Sequence, residues 1–326
     1  MRGGGFGWLC SGIGVGSREC LTYHGGLATH KILIPTPLAD NLSRTSTPFY
    51  ALSDHALVTL EGPDAAGFAQ AQFANDVAGL PAGQWQWNAW LTPKGRVIAV
   101  FALAKLAEDR VWLVLPDHPA PAFADALRRF VFRRKLKIES RADATIGGAF
   151  AAPLVAHGAT LSMDAGVLEL DWSGAGGPRT LRVDVAAPAT DDARQQAAWR
   201  AADLRHGLPR LSDAQREQWT PQQLALDRLA AYSVKKGCYP GQEIVARTHF
   251  LGKAKRALQG FHTAEPVGPG AMVRDSERDI GEVVSAAPEG PQTLLLAVLP
   301  LDHTGEGLSA DAQPLARVPL LDGLRR

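Results

Sequence analysis

Cysteine is scarce. The chain has three, Cys10, Cys20 and Cys238, an odd number with no Cys-x-x-Cys pair. That argues against a disulfide framework and against a self-contained zinc or iron–sulfur ligand set, and makes the reducing cytoplasm the expected compartment. No apolar run approaches the ~20 residues a membrane helix needs, so no membrane association is expected. Neither charge sign is in surplus: 34 Lys and Arg stand against 33 Asp and Glu, for a net charge of +1. A stable nucleic-acid complex is therefore not expected, and any contact with RNA has to come from a local patch. A Gly-x-Gly-x-x-Gly fingerprint after a strand and a Gly-Lys-Ser/Thr phosphate loop are both missing, which excludes the common nucleotide-binding sheets. Nine histidines are scattered without a metal-ligand spacing, so no metal site is expected.

What remains is the composition of an ordinary soluble domain, 46% hydrophobic and 21% charged. A length of 326 residues suggests roughly two or three domains. Residues 1–47 are glycine-rich at the start. They carry Arg2, Arg18, Lys31 and Arg44 against Glu19 and Asp40. They are expected to be a disordered or mis-started extension, with an organelle transit peptide as the alternative.

Regular structure is expected from about Phe49. The stretch 55–62 alternates as a strand, and 63–77 follows as a helix opened by Pro63 and Asp64. Residues 83–116 divide into three strands at the turns Thr92–Gly95 and Glu108–Asp109. An amphipathic helix is expected over 117–135, with Phe123, Leu127, Phe130 and Val131 on one face. Short strands, a helix near 190–206 and a Gly- and Pro-broken all-β tail from Val245 to Val318 complete an α+β pattern.

One stretch resists a core, turn or surface reading: "VKKGCYPGQEIVART", residues 234–247. Positive charge from Lys235 and Lys236 beside Cys238 favours a thiolate, and Gly237 and Gly241 would let the thiol sit on a tight loop. Gln242 and Glu243 add an amide and a carboxylate before an expected strand, "IVA". A lone cysteine is also commonly an inert small hydrophobe. A Cys–His dyad with His206, His249 or His262 stays open. Arg247, Lys253, Lys255 and Arg256 form an acid-free basic run, either a polyanion site or a solvated strand face. Trp85 and Trp87 share one strand face and Trp90 the other; they either pack the core or stack a ring ligand.

Lys236-Gly237-Cys238-Tyr239-x-Gly241-Gln242-Glu243 resembles the signature of the YgfZ family, folate-binding proteins of iron–sulfur cluster assembly related to the glycine cleavage T-protein. Residues 62–84, 92–103, 203–211 and 220–229 are similar to the family's flanking segments, so the resemblance spans about 48–320. It implies a T-protein-like three-domain ring: two interleaved α+β domains over 48–244, then a C-terminal antiparallel β-barrel over 245–326. It also implies tetrahydrofolate in a central channel. Cys238 and Lys236 become the reactive pair, and Asn75, Asp76, Trp87, Gln242, Glu243 and Arg247 the folate-channel candidates.

Departures from the related T-protein bear on activity. Ala99 and Val100 stand where that enzyme has its acidic pair, and Arg205 stands where it has a pterin-binding glutamate. Ala225 occupies a position where the YgfZ family is expected to have asparagine. The function implied is a monomeric, tetrahydrofolate-binding accessory factor for iron–sulfur clusters in client enzymes, among them radical-SAM enzymes that modify tRNA. The alternative is a folate-dependent one-carbon transferase, aminomethyltransferase or demethylase-like.

Overall fold

A computed structural model describes residues 48–184, 189–252, 254–276, 278–303 and 307–326. The expected extension over 1–47, with Cys10 and Cys20, and Lys253 of the basic run lie outside the described residues. Along the chain, β1 (Tyr50–Ala51) and β2 (Ala56–Glu61) precede α1 (Ala65–Gln72). Then come β3 (Gln84–Leu91), β4 (Val97–Ala107), β5 (Arg110–Leu115), α2 (Ala120–Arg128) and β6 (Lys137–Ser140). They are followed by β7 (Thr145–Ala149), β8 (Ser162–Asp164), β9 (Val167–Asp171), β10 (Thr180–Asp184) and α3 (Ala193–Arg205). Helix α4 (Gln242–Phe250) leads into β11 (Arg256–Thr263), β12 (Met272–Arg274), β13 (Asp279–Glu289) and β14 (Gln292–Pro300). The last strands are β15 (Ser309–Ala310), β16 (Gln313–Pro314) and β17 (Ala316–Val318).

These strands form three sheets, with orders β3-β4-β5-β2-β6, β1-β7-β10-β9-β8 and β16-β15-β12-β13-β14-β11-β17. All ladder pairs within them are antiparallel. The chain starts the second sheet with β1, leaves to build the whole first sheet, and returns at β7. The third sheet is a curled antiparallel half-barrel.

Period-2 alternation explains why β3 is buried on both sides. Trp85, Trp87, Ala89 and Leu91 face one cluster with Trp172, Trp199 and Leu324, while Trp90 faces another with Phe73, Phe101 and Phe123 under α1 and α2. Trp85 stacks on Trp172 at 5.4 Å, and Trp87 meets Trp172 edge-on at 4.7 Å. Each such pair adds about 0.5–1.5 kcal/mol beyond the area it buries. The three tryptophans of β3 thus pack the core.

The helix expected over 117–135 ends at Arg128. Phe123 and Leu127 are buried as its pattern requires, but Phe130 stays half-exposed and Arg133 turns to φ 57, which a right-handed helix cannot accommodate. A buried ion network joins the sheets. Asp203 of α3, fully buried, pairs with Arg179 at 2.8 Å and Arg210 at 3.1 Å, and Arg210 reaches Asp54 at 2.7 Å. His55 sits at the end of this chain of charges, 2.7 Å from Asp54. Among the described residues no helix is long and apolar enough to cross a membrane.

Candidate functional site

Residues 233–241 form an irregular loop that the rest of the fold pins at several points. The Ser233 N–H donates to the Ala74 carbonyl at 2.9 Å, and the Tyr239 hydroxyl returns to the Ser233 carbonyl at 3.2 Å. The Lys236 ammonium plugs the open C-terminal end of α1, donating to the carbonyls of Gln70 (2.6 Å), Phe73 and Asn75 (3.0 Å). Helix C-termini leave such carbonyls unpaired and favour a cation there. Burial pushes Lys236 down to about 8, with the Asp76 carboxylate pulling the other way. The Gln242 amide closes the loop onto the Lys236 carbonyl at 3.3 Å.

This geometry corrects the expected role of Lys236. Its ammonium is turned inward onto α1 and over the Tyr239 ring (4.9 Å) rather than onto the neighbouring thiol. Cys238 itself is exposed at the loop surface. Of the two glycines beside it, only Gly241 needs its freedom. It has φ 82, and a Cβ there would lie 2.7 Å from both Gly95 Cα and the Thr92 carbonyl oxygen. The loop is therefore seated on the β3–β4 turn by direct backbone contact. Gly237 has nothing within 4 Å and no left-handed φ.

A second correction concerns "IVA". Residues 242–250 form α4, not a strand, and the half-barrel opens at Arg256. The adjacent β-branched Ile244 and Val245 suggest a strand. Helical spacing instead buries Val245 and places Glu243 in the first turn and Arg247 and His249 in the last, where each charge suits the helix dipole.

The other sequence candidates separate. Asn75 is buried and spent on the fold. Its amide donates to the carbonyls of Trp87 (2.9 Å) and Ala230 (2.6 Å), and its oxygen accepts from Asp76 N–H (2.9 Å). Asp76 accepts from the Gln70 amide at 3.0 Å, close to Lys236. Trp87 is fully buried, and its indole N–H donates to the Leu324 carbonyl at 2.8 Å. Glu243 and Arg247 are exposed on α4. None of the three candidate histidines contacts Cys238. His206 bonds the Ala202 carbonyl (2.7 Å) and Gly176 N–H (3.2 Å), His262 bonds Glu289 (2.5 Å), and His249 packs edge-on against Phe250 (4.8 Å). Ala99 and Val100 are buried in apolar packing, and Arg205 faces Glu289 at 3.7 Å.

Sequence reasoning missed a cleft of about 670 Å³ at the far end of α4. Arg228, Tyr232, His249, Gln259 and Arg317 are among its lining residues. The Arg228 guanidinium donates to the Leu320 and Leu321 carbonyls (3.4 and 3.0 Å), but its Nε is buried without a partner among the described residues. The Gln259 Oε1 is orphaned in the same way. Buried polar atoms without partners cost about 1–3 kcal/mol each, and these two belong to side chains that line the cleft. Burial raises the Tyr232 hydroxyl to about 12, with the Asp227 charge adding to it, so the ring stays neutral. These positions carried no signal in sequence because they lie in separate segments, 222–232, 248–252, 254–260 and 317–320, with Leu301 from a further one. Among the described residues no three His, Cys, Asp or Glu side chains converge as a metal-ligand set.

No family model matches the chain. Curated relatives do. The tRNA-modifying protein YgfZ of Serratia proteamaculans is 30% identical over 296 residues, covering 83% of this chain and 89% of the relative. The protein of the same name from Klebsiella pneumoniae is 30% identical over 235 residues, covering 66% and 72%. Among solved structures, the glycine cleavage system aminomethyltransferase T from Bartonella henselae superposes with a TM-score of 0.65 at 18% identity, over 83% of this chain and 84% of its own. That likeness shows the fold.

Proposed function

The chain belongs to the YgfZ family, and from that premise we propose that it is a tetrahydrofolate-binding accessory protein for iron–sulfur cluster assembly or repair. One observation carries the reading. A single helix, α4, joins an exposed thiol on a pinned loop to a cleft lined by polar and cationic side chains. The lining suits folate: Gln259 would meet the pterin edge, Tyr232 would wall its flat ring, and Arg317 would take a glutamyl carboxylate. When bound, tetrahydrofolate supplies a reduced ring that exchanges one-carbon units or electrons. The wider reading includes a three-domain ring around a central channel, as a cytoplasmic monomer.

Cys238 is the group offered to a client, one of the radical-SAM tRNA-modifying enzymes among them. Its thiol gives up a proton to solvent, and the resulting thiolate takes a single coordination position on the client's cluster, whose other ligands the client keeps. Lys236 positions that thiol by holding its loop on α1. The one-carbon transferase reading lacks an acid at Ala99 and Val100, and among the described residues Asp227 is the one carboxylate lining the cleft.

Two measurements test this. Calorimetric titration with tetrahydrofolate is expected to show binding that Gln259→Leu weakens tenfold or more. Unchanged affinity removes the cleft assignment, and no binding to the wild type removes the folate reading. In cells lacking the wild type, Cys238→Ser is expected to lose support of client iron–sulfur activity. Full support would remove the thiol's role.

A further inference from the structure

The turn between α2 and β6 holds a charge concentration that the site above does not use. From Leu127 to Lys137 the sequence reads LRRFVFRRKLK, six cations and no acid. Arg128, Arg129, Phe130, Phe132, Arg133, Arg134, Lys135 and Lys137 are all exposed. Arg128 is spent on Asp125 and the Ile138 carbonyl, and Lys137 pairs with Glu139 at 2.7 Å. The side chains of Arg129, Arg133, Arg134 and Lys135 have no acidic partner among the described residues. The acids at the edge are Asp64, which accepts the Lys135 backbone N–H at 2.6 Å, and Glu61, which pairs in register with Lys137.

Two aromatic rings interrupt these cations. Phe130 is braced edge-on against Trp90 at 6.2 Å. Phe132 is 78% exposed, and the Arg133 guanidinium lies over its ring at 5.0 Å. Four cations without an acidic partner among the described residues, around a largely exposed ring, suit a phosphate backbone with unstacked bases. We infer that residues 129–135 dock an unpaired RNA strand, with Arg129, Arg133, Arg134 and Lys135 on phosphates and Phe132 stacking a base. Unpaired loops are the part of an RNA whose bases can be splayed onto such a ring. An anionic membrane fits less well, because Phe130 is engaged with Trp90 and one ring is too little apolar surface to insert. The charge of +1 is no obstacle, since the attraction is local and the contact salt-sensitive. Arg134 lies beside Gly67 in the first turn of α1, whose other end holds Lys236. The RNA would therefore sit one short helix, ~12 Å of rise, from the thiol loop.

Fluorescence anisotropy with a labelled, unstructured ten-nucleotide RNA between 50 and 200 mM KCl tests the surface. Four phosphate contacts give a log–log salt slope of about −3. The triple variant R129S/R133S/R134S is expected to bind at least tenfold more weakly, with a slope shallower by about 2. Phe132→Ala is expected to lose about tenfold with its slope unchanged. Melting temperature and tetrahydrofolate affinity of both variants should match the wild type, which separates this surface from the folate reading. Equal RNA binding by wild type and triple variant overturns the inference, as does no binding at 50 mM KCl. Binding to phosphatidylglycerol vesicles but not to RNA overturns it too.

Discussion

Lys236 shows how a residue beside a reactive group can belong to a different task. Adjacent in sequence to Gly237 and Cys238, it is expected to polarise the thiol, yet its ammonium completes the end of α1. A buried cation bonded to three carbonyls is costly to remove, because its partners are left without donors. Lys236→Met, which keeps the volume, should therefore lower stability by ~3 kcal/mol. In a chain of this size that corresponds to a drop of about 4–5 °C in a thermal melt. A melt within 1 °C of the wild type, as a rough limit, would show that the three bonds contribute nothing net. Gly241 and Gly95 matter for a related reason: a Cβ on Gly241 would meet the Gly95 backbone at 2.7 Å, and one on Gly95 would meet the Ile244 side chain at 2.8 Å.

At the scale of elements, strongly alternating segments were legible and the connections were not. The strands β3, β4 and β5 and the split of Trp85 and Trp87 from Trp90 follow from period-2 patterning. Helix α4 did not, because two β-branched residues outweighed the helix signals of Glu243, Arg247 and His249. The cleft was illegible because several separate segments of the sequence build it, whereas the thiol loop was legible as one contiguous motif. The structure also gives Ala225 a physical reading: it sits at φ 51, a left-handed conformation that asparagine tolerates and alanine does not. The asparagine expected in the family at this position thus suits the backbone whether or not it touches a ligand. Ala225→Asn should stabilise the protein by ~0.5–1 kcal/mol, visible as a midpoint shift in urea unfolding at unchanged slope. A lower midpoint would mean the side chain clashes in the cleft.

Over the whole molecule, acid sensitivity should concentrate where the sheets meet. Burial lowers His55 below its ordinary 6.5 despite the opposing bond to Asp54, so the native state resists a proton that the unfolded chain accepts. With more protons bound in the unfolded state, stability rises with pH through this window and falls as pH drops below about 7. Asp117 works oppositely over a lower range: burial raises it to about 6 against the pull of Arg210, so its contribution is lost as pH rises from about 4 to 6. Melting temperature should therefore climb from about pH 6 to 7.5 and do so less steeply in His55→Gln. Calorimetry across that range checks it, and equal slopes in the two proteins would assign the effect elsewhere.

The excursion of the chain between β1 and β7 sets a timetable. Tyr50 pairs with Gly148, so the second sheet's first strand emerges from a ribosome almost a hundred residues before its partner. At ~5–20 residues per second, that edge waits ~5–20 s while the first sheet is completed. For that interval the newborn protein carries a short unpaired strand that only its own later translation can cover, and a chaperone would meet it then.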